Sequence, residues 1–398
     1  MKDIEEKYTM FEGNSTIYNL SSAENMTDRN ISLDYLNVTN EVPIQFAEPM
    51  YGYIMPVLLL VTIIANTLIV VVLSKRHMRT PTNAVLMAMA LSDMFTLLFP
   101  APWLFYMYTF GNHYKPLSPV GGACYAWSIM NEVVPALFHT ASIWLTLALA
   151  VQRYIYVCHA PVARTWCTMP RVLKCIAWIS FIATLHQSTR FIDREYLPVN
   201  ISWGNQENVT VCRVQFAHWV EKGISPDVYF IIYYLFRVVF VHAVPCVSLV
   251  ALNLLLFRAL RKAQEKRDKL FKENRKSECK RLRDSNCTTL MLIVVVTVFL
   301  VTEIPLAVVT VLHVISSSVT EILDYSVANA LVLFTNFFII VSYPINFAIY
   351  CGMSRQFRET FKELFIRGAV QVTRRNGGGS SKYSLVNGPR TSTNETVL

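Results

Sequence analysis

Seven apolar runs of membrane length constrain this chain more than any other feature. They lie near residues 51–73, 84–108, 127–151, 171–189, 228–257, 286–313 and 326–351, and none holds more than two charged residues. A helix needs about 20 consecutive apolar residues to cross a bilayer, and a water-soluble domain has no use for seven of them. The fourth run is the least apolar, turning polar from Thr184 to Arg190. A chain of 398 residues is long enough for two soluble domains, but 53% hydrophobic against 16% charged residues argues for one membrane domain with polar tails. The expected fold is all-α, a seven-transmembrane helix bundle over residues 50–351.

The net charge of +9 lies between the runs rather than on a soluble face, so it reports topology and not nucleic-acid binding. Lys75 to Arg79, Arg164 to Lys174 and Arg258 to Arg283 are basic, the last with twelve Lys/Arg against four acids. The positive-inside rule makes these three connections cytoplasmic and puts the N-terminus outside. Residues 1–49 hold nine Asp/Glu, three Lys/Arg and five Asn-x-Ser/Thr sites: Asn14, Asn19, Asn25, Asn30 and Asn37. They read as a disordered, glycosylated extracellular tail. Asn200 and Asn208, after the fourth run, fall on the same outer side, whereas Asn286 and Asn394 fall inside and are expected to carry no sugar. Met1-Lys2-Asp3-Ile4 has no apolar core behind it, so no cleavable signal peptide is expected and the first span directs insertion.

After the seventh run, Phe357, Phe361, Leu364 and Phe365 share one face of residues 354–365. This spacing predicts a short amphipathic helix lying in the membrane interface, residues 352–366. A disordered cytoplasmic tail, 367–398, follows and ends in Thr396-Val397-Leu398, the Ser/Thr-x-apolar pattern that adds as a strand to PDZ domains.

Nine cysteines cannot all pair within one chain. Topology leaves Cys124 and Cys212 on the oxidising side, and a bridge between them would pin the outer loop over the bundle. No CxxC or His cluster has metal-ligand spacing, and nothing calls for a cofactor.

Polar residues inside the runs sharpen the class. The uncharged stretch Val133 to Val151 is followed at once by Gln152-Arg153-Tyr154. Taken alone, Arg153 is either a stop residue snorkelling to the interface or a functional arginine. Asp93 lies mid-run, where a carboxylate costs about 2.5–3.5 kcal/mol, so it should face the bundle interior. Satisfied packing group and switch both remain open for it. Pro245 and Pro305 give the fifth and sixth helices places to bend.

Together these residues resemble the pattern of rhodopsin-like G-protein-coupled receptors. Asn66, Asp93, Trp178, Pro245, Phe299 and Pro305 stand where that family has them, but three motifs depart from it. Gln152 replaces the usual acid before Arg153, Thr302-Glu303-Ile304-Pro305 stands where Cys-Trp-x-Pro is usual, and Asn346-Phe347-Ala348-Ile349-Tyr350 replaces Asn-Pro-x-x-Tyr. Cys124 also lies about one turn further from Arg153 than usual. The combination resembles the FMRFamide-like branch of invertebrate neuropeptide receptors. Within it, Gln152 to Pro161 and Met130 to Pro135 are similar to the insect receptors for sex peptide and myoinhibitory peptides.

The resemblance implies a cell-surface neuropeptide receptor for a short amidated peptide with two tryptophans, coupled to an inhibitory (Gi/o) heterotrimeric G protein. It implies that Asp93 binds sodium and acts with Arg153, Tyr154, Asn346 and Tyr350 as the switch. Arg153 is expected to hold the third helix to the sixth, loosely because Gln152 is no acid, giving measurable basal signalling. The basic stretch 258–283 and the helix after the seventh run would flank G protein or membrane lipid. Arrestin and a PDZ-domain protein are candidate partners at the C-terminus.

Beyond the resemblance, Glu303 stands mid-helix where a tryptophan usually forms the pocket floor. Arg237 and His139 reach similar depths, so Glu303 is expected to pair with one of them at rest, and a ligand to rearrange the pair. A fixed polar cluster is the competing reading. Above that floor Asn131, Glu132, Arg190 and Phe191, with Trp203 and Trp219, offer rings and polar partners for a peptide. Two other ligand or class readings stay open: another FMRFamide-like receptor, and a polytopic transporter, although no internal repeat supports the latter. An enzyme is not expected, because Asp93 and Glu303 sit on different helices with nothing to mark an acid–base pair.

Overall fold

The computed structural model describes Leu36 and residues 43–203, 206–273, 275–318 and 324–367. Asn14, Asn19, Asn25, Asn30, Asn37 and the C-terminal motif lie outside these residues. The described chain is mostly helical: α1 (Ile44–Leu73), α2 (Pro81–Thr109), α3 (Val120–Cys158), α4 (Met169–Gln187), α5 (Pro226–Lys272), α6 (Lys276–Ser318), α7 (Ser326–Met353) and α8 (Arg355–Lys362). Six of them, α1, α2, α3, α5, α6 and α7, are long and apolar enough to cross a membrane. The fourth run is a helix of 19 residues, α4, with Arg171 and Lys174 near one end and His186 and Gln187 at the other.

Local chemistry sets the helix ends. The Thr80 side chain accepts from the Asn83 amide at 3.2 Å just before Pro81, and Ser354 accepts from the Phe357 amide at 3.2 Å to start α8. Asp324 caps α7 through the Ser326 amide at 2.8 Å. Pro344, which has no N–H to give, breaks α7 after Tyr343. α5 and α6 run far past their apolar runs, so the basic stretch 258–283 is mostly helix rather than loop. Leu256 and Leu260 continue the apolar face there and pack with Ile293, Tyr154 and Val157.

The all-α expectation needs one correction. Between α4 and α5 the chain forms an antiparallel hairpin, β1 (Arg194–Trp203) with β2 (Gln206–Phe216), in which Pro198 faces Cys212. Val199, Ile201 and Trp203, half-buried, alternate with exposed Asn200 and Ser202, the pattern of a strand with one covered face. Asn200 and Asn208 both lie on the exposed surface of this hairpin.

Cys124 and Cys212 are disulfide-bonded, which ties β2 to the start of α3. Gly121 and Gly122, at φ 66° and 73°, make the left-handed turn that leads into Cys124. At the same end α1 and α2 come very close: a Cβ on Gly52 would lie 3.0 Å from the Tyr108 carbonyl oxygen. The largest core cluster sits at the other end, joining Ile69, Leu86, Leu145, Leu149, Met291, Val295 and Tyr350. Phe357 of α8 is buried in this cluster, and His77 Nε2 contacts Thr360 Oγ1 at 2.9 Å. The apolar face of α8 is therefore largely spent on the bundle, leaving Phe365 exposed. Trp178 points outward at 62% exposure, edge-on to Phe181.

Candidate functional site

Under the hairpin the helices enclose a cavity of about 430 Å³. Four interruptions of the α-helical hydrogen-bond pattern shape its wall: π-turns at Glu48–Ile54 in α1, Phe105–Thr109 in α2, Ile129–Val133 in α3 and Arg237–Ala243 in α5. In an α-helix, residues five apart diverge by about 140°. A π-turn brings them nearer to one face, and such turns recur at functional sites. Trp103, Tyr108, Trp127, Glu132 and Arg237, in or beside these turns, line the cavity together with Asn131, His139, Arg190, Tyr233 and Tyr234.

The cavity's rim is an ion network. Arg190 pairs with Asp193 and lies 3.4 Å from Glu132 Oε2, while Arg194 reaches the same oxygen at 3.8 Å. Tyr229 donates its hydroxyl to Asp193 at 3.2 Å, and the Arg190 guanidinium lies 5.6 Å over the Tyr233 ring. Burial works against the Arg190 charge, but the Asp193 carboxylate outweighs it and holds the pKa above the ordinary arginine value. Leu36 closes over this end. Its amide donates to the Cys212 carbonyl at 2.8 Å, and its side chain, 2% exposed, packs among Met107, Tyr108, Trp127 and Leu333, all cavity-wall residues.

At the floor the expected Glu303–His139 pair forms, and the expected alternative, Arg237, takes no part in it. Glu303, fully buried, bridges two histidines, His242 Nδ1 at 2.8 Å and His139 Nε2 at 3.2 Å. His242 escapes a reading of spacing because an α-helical count places it on a different face from Arg237. The π-turn brings the two nearer to one face. Among the described residues Arg237 has no hydrogen-bond or ion-pair partner, and it stays half-buried in the cavity wall.

Below the floor lies a second chamber of about 20 Å³, room for about one water. Asp93 and Glu303 both face it, and His139, Ile339 and Tyr343 line both spaces. Ser142 donates to Asp93 at 2.7 Å, and Asn346 also hydrogen-bonds to it. Tyr350, further along α7, packs on Phe357.

Other expected residues fall elsewhere. Phe191 is outside the cavity wall, its carbonyl accepting from Tyr125 at 3.0 Å. Trp219 spends its indole N–H on the Ile192 carbonyl at 2.7 Å, and neither it nor Trp203 lines the cavity. At the opposite end Arg153 has no carboxylate on α6 among the described residues. Its guanidinium lies 5.8 Å over the Tyr156 ring and its Nε is buried without a partner. Gln152, also buried, has no partner for either side-chain polar atom. Tyr154 packs against α5 and α6.

A multi-pass helical bundle, disulfide-tied at the end that holds a large polar–aromatic cavity, has the form of a membrane signalling receptor. Residues 53–368 match the family described as serpentine type 7TM GPCR chemoreceptor Srw, and the chain belongs to the seven-transmembrane G-protein-coupled receptors. It is 61% identical to the sex peptide receptor of Drosophila melanogaster over 375 residues, 94% of this chain and 84% of that one. Sex peptide receptor-related protein 2 of Caenorhabditis elegans is 35% identical over 329 residues, 81% of this chain and 73% of that one. The FMRFamide receptor of Drosophila melanogaster is 26% identical over 228 residues, 54% of this chain and 38% of that one. The family is one of signalling receptors rather than a class of enzymes or transporters.

Proposed function

We propose that this chain is a plasma-membrane receptor that binds a short amidated, tryptophan-bearing peptide in the cavity under the hairpin and activates a Gi/o-class G protein. The cavity carries this reading: about 430 Å³ walled by Trp103, Tyr108, Trp127, Tyr233 and Tyr234, with Asn131, Glu132, His139 and Arg190 among the rings. Indole side chains gain most in such a wall, and their N–H groups need the acceptors it supplies. The relatives described as sex peptide receptors agree with that chemistry.

In this reading the hairpin end is extracellular, with sugar on the sequons of the tail and on Asn200 and Asn208, and residues 367–398 are cytoplasmic. α4 is the remaining span of the seven, and α8 lies at the inner interface against membrane lipid. Asp93, with Ser142 and Asn346, offers the oxygen donors that a hard cation such as sodium takes. A ligand reaching the floor would disturb the Glu303 pairs, and Arg153, Tyr154, Asn346 and Tyr350 would carry the change to the G protein. Arrestin and a PDZ-domain protein would meet the C-terminus.

The test is a cAMP-inhibition and calcium assay in transfected cells, with a double-tryptophan amidated peptide beside an FMRFamide-type peptide. A response to the first is expected. A response to the second alone would favour the other reading, for which the FMRFamide receptor relative speaks, and silence from both with the protein at the surface would overturn both.

A further inference from the structure

Among the described residues, every charged group around the cavity but one has an ion-pair or hydrogen-bond partner. Glu132 lies between Arg190 and Arg194, Asp193 is held by Arg190 and Tyr229, and Glu303 is bridged by His139 and His242. That leaves Arg237. It stands in the wall between the rim network and the floor pairs, with no hydrogen-bond or ion-pair partner among the described residues. Arg237 opens the π-turn Arg237–Ala243, near enough to His242 for their charges to interact, and His242 is itself locked on Glu303. A guanidinium presents its donors as a rigid fork suited to oxygen acceptors, and leaving such donors unmatched in a partly buried wall works against stability.

We propose that Arg237 is the acceptor subsite of this cavity: its guanidinium receives an oxygen acceptor of the ligand, either a peptide carbonyl or a carboxylate. The inference rests on the cavity being the ligand site and adds what the ligand must place there. It also separates Arg237 from the rim arginines, which already have carboxylates and serve to hold the hairpin on the bundle.

The experiment compares Arg237→Met and Arg237→Lys with wild type for surface level, thermal stability without ligand, and affinity. The probes are a double-tryptophan amidated peptide lacking Asp and Glu, and the same peptide with one added Asp. Arg237→Met should lower affinity roughly ten- to a hundredfold, the range for losing a hydrogen bond to a charged group. The Tm without ligand should stay level or rise, because an unmatched cation has been removed. Arg237→Lys, which keeps the charge and loses the fork, should fall between. A loss confined to the Asp-bearing peptide assigns a carboxylate; a loss with both assigns a carbonyl. Unchanged affinity in either variant that reaches the surface overturns the proposal, and so does a fall in Tm without ligand, which would make Arg237 a structural group. If wild type binds neither probe, the peptide reading fails by itself, and the Tm comparison alone then decides Arg237.

Discussion

The two ends of this bundle treat their polar groups in opposite ways. At the hairpin end nearly every charge is matched: Arg190, Arg194, Glu132 and Asp193 form one network, and the Cys124–Cys212 bond and the Leu36 amide fasten the hairpin above it. At the other end Gln152 and the Arg153 Nε are buried with no partner, and Arg153 rests on an aromatic ring. Buried polar atoms without partners disfavour the arrangement that holds them, by about 1–3 kcal/mol each. The hairpin end, which leaves Asp193 Oδ1 and His186 Nε2 unpartnered as well, differs in holding its charges in an ion network, whereas Arg153 at the other end rests on a ring. That is the division expected of a molecule that recognises a ligand at one end and moves at the other.

Glu303 joins the two regions, and replacing it should have the largest effect. Glu303→Ala strands two histidines that now share its carboxylate, and breaking a buried pair of this kind costs about 3–5 kcal/mol, so surface expression should collapse. Glu303→Gln keeps the shape and one acceptor oxygen; it should reach the surface but signal abnormally. Normal signalling by the glutamine variant, with alanine lowering expression alone, would reduce Glu303 to a packing group. Next in size, Cys124→Ser with Cys212→Ser should cost about 2–4 kcal/mol and weaken peptide binding more than it changes basal activity. An equal effect on both would blur the distinction between the ends.

At the loosely held end the substitution goes the other way. Gln152→Glu supplies Arg153 with the neighbouring acid it lacks; burial sets a desolvation cost against the attraction, so the net restraint is about 0.2–1 kcal/mol. Basal signalling should fall by a factor of up to about five, with peptide affinity unchanged. An undetectable basal signal in wild type at high expression would contradict the loose restraint. The smallest effect is expected at Leu36. Leu36→Ala should weaken peptide affinity by roughly 1 kcal/mol or less, because Leu36 packs behind wall residues and does not itself line the cavity. Binding kinetics measured on the variant check this, and an unchanged dissociation rate would remove Leu36 from the site.

Much of the fold is legible in hydropathy alone, since a bilayer demands long apolar helices and the runs 51–73 to 326–351 mark them. The Cys124–Cys212 bond is legible from topology as well. What the spacing of residues does not disclose is helical irregularity. A π-turn lies between Arg237 and His242, so a count in α-helical steps finds His139 as a partner of Glu303 but offers Arg237 in place of His242. The hairpin carried a short signal, the alternation Val199-Asn200-Ile201-Ser202-Trp203, which a focus on membrane spans passes over. Leu36 had none: a single leucine in an acidic, Asn-rich stretch looks like its neighbours until the disulfide and the cavity rim are in place around it.

The most direct test of the account is nucleotide exchange on a purified Gi/o protein by the purified full-length receptor, with and without a double-tryptophan amidated peptide. Slow exchange is expected without peptide, faster exchange with it, and a shift of the peptide response to roughly ten- to a hundredfold higher concentration in Arg237→Met. Exchange that the peptide leaves unchanged, with the peptide demonstrably bound, would contradict the claim that the hairpin-end cavity controls the Arg153 end.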